Sequence, residues 1–219
     1  MLPFEPTHAQ HRVLFEVARD MSLPVPMNRM IEGDVGSGKT SIALFALYAA
    51  ARDGRQGALL APTEILARQH YEALKGLFGD RCGLLLGSET ARERREALQK
   101  LESGAWQAVT GTHALFSESV RFHNLGVVIC DEQHRFGVAQ RSAMEQKGAR
   151  PDVLVMSATP IPRTLALILY GDLDLSVIDE LPAGRKPIKT HLVGPAKRKD
   201  MYRYLAARAR EGEIGRAHV

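Results

Sequence analysis

With 219 residues, 45% of them apolar, the chain has enough side chain for one large core, or for one domain and a piece of another. Its 29 basic and 25 acidic residues leave a formal charge of +4, which is compatible with a polyanionic partner without requiring one. No apolar run reaches membrane-spanning length, and Met1-Leu2-Pro3-Phe4-Glu5 lacks the basic-then-apolar pattern of a leader, so a soluble cytoplasmic protein is expected.

Residues 7 to 20 place Val13, Leu14, Val17 and Ala18 at helical spacing, before a proline-rich stretch from Ser22 to Met27. Met27 to Ile31 is short and apolar enough for a buried strand. It runs into Gly33-Asp34-Val35-Gly36-Ser37-Gly38-Lys39-Thr40, which fits the phosphate-cradling pattern G-x-x-x-x-G-K-[ST] at every fixed position. Glycines let such a backbone curl until several N–H groups face one anion. Lys39 can then place its ammonium on terminal phosphates, while the Thr40 hydroxyl can join the shell of a magnesium ion (Mg2+). Ser41 to Ala51 forms the helix that the motif needs next, and its N-terminal partial charge also favours phosphate. A nucleoside triphosphate held by residues 33 to 41 is the expectation.

Gly57 to Ala61 is a short apolar strand ending at Pro62, after which Thr63 caps a helix running to about Phe78, with Glu64 in its first turn. Cys82 to Leu86 is the next strand, and Glu89 to Leu101 a strongly charged helix. In that helix Arg92, Arg94, Arg95 and Lys100 interleave with Glu89, Glu93 and Glu96, which fits a solvated face better than a nucleic-acid patch. Ala108 to Thr110 ends at Gly111, Leu125 to Cys130 stops at Asp131-Glu132, and Val153 to Met156 stops at Ser157-Ala158-Thr159. Pro162 then suits the first turn of a helix continued by Thr164 to Tyr170. Cys82 and Cys130 lie in apolar runs at no metal-ligand spacing, so both are expected as buried, reduced thiols.

Strands that are nearly all apolar and alternate with helices predict an α/β fold, a doubly wound and mainly parallel sheet with helices on both faces. Every polar cluster follows a strand end, the carboxyl edge where such sheets collect ligands. The first domain is expected over residues 1–180, with a linker at 181–187. Residues 188–212 supply one strand (Ile188 to Val193) and one helix (Lys197 to Arg210), too little to bury its own faces and so the start of a second domain. Residues 213–219 read as a non-native tail and are left out of the fold reasoning.

Two acids complete the chemistry. Asp131, at a strand end, can hold the magnesium opposite Thr40, and Glu132 can orient and deprotonate an attacking water. Lys39, Asp131 and Glu132 are therefore the expected catalytic set, weighed against a merely solvated acidic strand end.

GDVGSGKT, APTEILARQH, GTHAL, DEQHRFGV and SATPIPRTL, in this order, resemble the first-motor-domain motifs of superfamily 2 helicases. Their wording, with YGDLDLSVIDELPAGRKPI following, is similar to the RecG-type bacterial DNA helicases. The transcription-repair coupling translocases are the rival branch, with GDVGFGKT and DEEQRFGV. Ser37 and the Gln133-His134 pair favour the former.

The resemblance implies a RecA-like fold, ATP with Mg2+ as ligands, and further site residues. Phe4 would stack on adenine and Gln10 would pair with its edge, unless Gln10 is only an exposed helix residue. Thr63, Arg68, Gly111, Thr112 and His113 would touch DNA backbone, where surface charge and an ordinary turn are the plainer alternatives. Ser157, Thr159 and His134 would couple hydrolysis to movement, although Thr159 could serve only as a helix N-cap. The implied activity is ATP-driven translocation on branched DNA, at forks and Holliday junctions, in recombination and repair near the nucleoid. A second motor domain with arginine fingers and a fork-splitting wedge would be partners elsewhere in a full-length chain. Without those fingers this chain is expected to bind MgATP weakly and hydrolyse it slowly. A nucleotide-dependent binding module with no motor role is the alternative from another class.

Overall fold

The structure is a computed structural model, and it describes residues 6–131, 150–158, 173–180 and 192–211. The chain divides into two compact units, Met1–Ala183 and Gly184–Val219.

In the first unit, helices start where side chains can satisfy their free N–H groups. Helix α1 (His8–Met21) opens on a capping box, in which the Thr7 hydroxyl accepts from Gln10 N and the Gln10 side chain accepts from Thr7 N. Helix α3 (Glu64–Phe78) is capped by Thr63, whose Oγ1 accepts from Leu66 N at 3.3 Å. Helix α4 (Ala91–Glu102) has a second capping box, Thr90 with Glu93. That box starts the helix two residues later than the sequence suggested. Glu89 stays outside it and accepts from Leu86 N at 2.9 Å, and burial pushes its carboxyl pKa up.

Among the described residues, seven strands form one parallel sheet in the order β3-β4-β2-β5-β6-β1-β7. They are β1 (Asn28–Gly33), β2 (Gln56–Leu60), β3 (Cys82–Leu85), β4 (Ala108–Gly111), β5 (Leu125–Asp131), β6 (Asp152–Ser157) and β7 (Asp174–Ile178). All residues of β2, β4 and β6 are buried, as strands covered on both faces must be. Alternate residues enter different cores. Leu59 and Ile129 join Val13, Ile42, Leu47 and Leu154 of one layer, whereas Ala58, Leu60, Val128 and Cys130 pack with Leu85, Leu101 and Leu115 of the other. Cys82 and Cys130 are buried, and burial pushes the Cys82 thiol pKa up, which keeps it unreactive.

Strand β7 has no counterpart among the sequence expectations. It is an edge strand with only Ser176 and Ile178 buried, so its run lacks the continuous apolar character of the others. Charge holds it to α1. Arg29 of β1, 4% exposed, contacts Asp20 at 2.7 Å and donates to Ser176 Oγ at 2.8 Å, with Glu16 at 3.5 Å. Arg12 donates to Val177 O at 2.8 Å and pairs with Asp179, while Ala9 N donates to Glu180 Oε2 at 3.0 Å.

In the second unit, a 3-10 turn (Pro195–Lys197) leads into helix α5 (Arg198–Arg210), as the sequence anticipates. Leu192 and Val193 lie in no strand, and the rest of that expected strand, residues 188–191, lies outside the described residues. The expected helix after Pro162, the linker at 181–187 and the tail at 213–219 also lie outside them. Among the described residues, no helix is long and apolar enough to cross a membrane.

Candidate functional site

The phosphate loop begins inside β1, whose last residue is Gly33, and ends at helix α2 (Lys39–Arg52). Its glycines answer to different constraints. Gly36 (φ +80°) and Gly38 (φ +93°) take left-handed backbone that other residues rarely adopt. A Cβ on Gly36 would meet nothing within 4 Å among the described residues. A Cβ on Gly38 would lie 2.2 Å from Gln10 Nε2, and one on Gly33 would lie 2.6 Å from Ser37 Oγ. Gly38 is the N-cap of α2, and its own position supplies no side-chain cap among the described residues, which suits an anion at the helix start. Lys39 folds over the loop, donating to Gly33 O at 2.5 Å and Asp34 O at 3.0 Å. Thr40 is exposed on the first turn of α2 beside Ser41, and Val35 is exposed on the loop.

Gln10 is buried, at 2% exposure, and is not the exposed helix residue that was its plainer reading. Its Oε1 accepts from Thr7 N at 3.0 Å and its Nε2 donates to Ser37 O at 2.7 Å. The amide therefore links α1 to the phosphate loop and keeps one N–H and one lone pair for a further partner.

Across the sheet edge, β6 separates β1 from β5. Glu32 is in register with Ser157, and Met156 with Asp131. Two strand spacings, about 10 Å, thus separate the loop entrance from Asp131. Asp131 is 14% exposed in its side chain, and its Oδ2 lies 2.7 Å from His70 Nε2. Ser157 is buried at the end of β6. Hydroxyl and carboxylate oxygens are the hard donors that magnesium takes, so Thr40 and Asp131 fit it. Among the described residues, no group of three or more His, Cys, Asp or Glu could hold a metal. A magnesium held largely by phosphates and water needs only one or two protein oxygens.

His70 is absent from the sequence reading. Its signal was present, since it closes the APTEILARQH stretch, but its spacing with Ala67, Leu74 and Phe78 marks only a buried helix face.

The residues expected to touch DNA follow neighbouring strands on the same edge, β2 and β4. Arg68 and His113 are exposed. Thr63 Oγ1 accepts the cap hydrogen bond from Leu66 N, which leaves its O–H to donate. Thr112 is 3% exposed, and its hydroxyl has no hydrogen-bond partner among the described residues. A Cβ on Gly111 would lie 2.3 Å from Leu85 O, so close strand packing alone explains that glycine. Phe4, Glu132, His134 and Thr159 lie outside the described residues.

A family profile described as DEAD/DEAH box helicase matches residues 7–168. The chain belongs to the DEAD/DEAH box helicase family. Membership implies the use of ATP.

Among curated relatives, the ATP-dependent DNA helicase RecG of Bacillus subtilis (strain 168) is 52% identical over 218 residues, which is 98% of this chain and 32% of the relative. The protein of the same name from Synechocystis sp. is 50% identical over 215 residues, 97% of this chain and 26% of the relative. The chain thus spans between a quarter and a third of the length of these relatives. A solved structure of RecG bound to a three-way DNA junction superposes with a TM-score of 0.83 at 43% identity, covering 96% of this chain and 29% of that one. The DEAD-box helicase Mss116 bound to ssRNA, at 18% identity, 79% coverage of this chain and 40% of that one, shares the fold with a TM-score of 0.59.

Proposed function

We propose that the chain is the nucleotide-binding motor lobe of a RecG-type ATP-dependent DNA helicase that acts on branched DNA in recombination and repair. The observation that carries this is one continuous sheet edge. The loop from Gly33 to Thr40 and the acid Asp131 share one half of it, and the exposed Arg68 and His113 share the other. The junction-bound RecG structure supports branched DNA as the substrate class.

In this reading Gly33 to Ser41 cradles the triphosphate with backbone N–H groups, and Lys39 leaves the carbonyls of Gly33 and Asp34 for phosphate oxygens. Phe4 and Gln10 hold adenine, Gln10 with the amide groups it has left. Thr40 and Asp131 hold Mg2+, which would neutralise charge on the phosphates when bound. Glu132 takes the proton of the attacking water. Thr63, Arg68 and the Gly111-Thr112-His113 turn contact DNA phosphates, and Ser157, Thr159 and His134 relay nucleotide state to that side. Residues 1–180 form the first motor domain, 181–187 the linker and 188–212 the beginning of the second. Wedge and second motor domains are partners in a full-length parent.

Lys39→Ala tests the site. An ammonium–phosphate hydrogen bond contributes about 1.5–3 kcal/mol, so MgATP affinity measured by calorimetry should fall roughly ten- to hundred-fold. Unchanged affinity in a folded variant would remove the loop from the binding site.

A further inference from the structure

The nucleotide reading gives His70 no task, yet its surroundings are specific. It lies on the apolar face of α3, 6% exposed, between Ala67 and Leu74. Its Nε2 reaches from that helix to Oδ2 of Asp131, at the end of β5, 2.7 Å away. A carboxylate only accepts, so in this pair the ring carries its proton on Nε2. The contact commits one carboxylate oxygen and restricts rotation of the group, leaving Oδ1 for another partner. Magnesium tolerates little departure from octahedral geometry, and groups that orient its ligands affect affinity nearly as strongly as the ligands do.

We propose that His70 is a positioning residue for the magnesium acid. Its Nε2–H holds Oδ2 of Asp131 and presents Oδ1 to the cation. It also ties that carboxylate to α3, about two helical turns from the cap at Thr63 where DNA contact is proposed. The nucleotide half and the DNA half of the edge are thereby joined through one side chain. The inference rests on the reading of Asp131 as a magnesium ligand.

The test is a titration of Mg2+ into the 219-residue chain mixed with a fluorescent ATP analogue, for wild type, His70→Ala and His70→Gln, with thermal denaturation of each. His70→Ala should weaken apparent Mg2+ affinity about tenfold while leaving metal-free analogue binding unchanged. His70→Gln, which can return an N–H to the Nε2 position, should recover most of the loss. If His70→Ala does not fold, His70→Leu refills the volume without a donor and takes its place. Equal Mg2+ affinity in wild type and the donorless variant overturns the proposal. So does a glutamine variant as weak as the alanine one, which assigns the loss to ring packing. Wild-type analogue binding that ignores Mg2+ overturns the magnesium reading itself, so the two failures are told apart.

Discussion

At Gly38 two demands meet. Its φ of +93° is costly for any residue with a Cβ, and the Cβ would also enter the Gln10 amide. Gly38→Ala should therefore destabilise the chain by about 1–3 kcal/mol in urea denaturation. In a Gln10→Ala background the steric part should vanish and only the backbone strain remain. An equal loss in both backgrounds would show that the two residues do not touch. The phosphate loop was legible because its chemistry fixes residue types at fixed spacing. The Gln10–Ser37 and His70–Asp131 contacts were not, since each joins residues far apart in sequence, and helical spacing says only that a side chain is buried. A buried polar side chain finds its partner through the fold, and the partner then defines its role.

Among the elements, the central strands were legible from apolar runs alone, while β7 was hidden by its exposed edge. What places β7 is the Arg29 cluster, where a guanidinium 4% exposed meets Asp20, Glu16 and Ser176. Arg29→Met should cost about 3–5 kcal/mol, because it leaves the Asp20 carboxylate buried with only the exposed Arg19 beside it. Adding Asp20→Asn should recover part of that. If the single variant keeps wild-type stability, the cluster does not hold α1 to the sheet.

Asp152, at the start of β6, gives a test of opposite sign. Burial raises its pKa, opposed by the hydrogen bond it accepts from Met27 N at 2.7 Å. A carboxyl raised in the folded state stabilises the fold below its unfolded pKa, and that contribution is lost as pH rises through the folded value. Asp152→Asn can keep the hydrogen bond without the charge. It should raise the melting temperature at neutral pH, and the gain should fade as pH falls through the carboxylate range. A variant that is less stable than wild type at pH 7 would contradict this.

At the largest scale, the sheet order of the first unit sets the proposed site residues in a line. Loop, Ser157, Asp131, the end of β2 and the end of β4 follow one another across the carboxyl edge. The order of the motifs in sequence hides this, because β5 and β6 come late in the chain yet insert between β1 and β2. A motor lobe needs that line, with nucleotide felt at one end and DNA at the other. A nucleotide-binding module without motor function needs only the loop. Binding free energies at linked sites are reciprocal, and typical couplings amount to about 5- to 150-fold in affinity. The most direct measurement is the MgATP dissociation constant of the chain with and without saturating branched DNA. With DNA present MgATP should bind more tightly, and MgATP should tighten DNA binding by the same factor. A MgATP affinity that DNA leaves unmoved, in a chain that binds both, would contradict it.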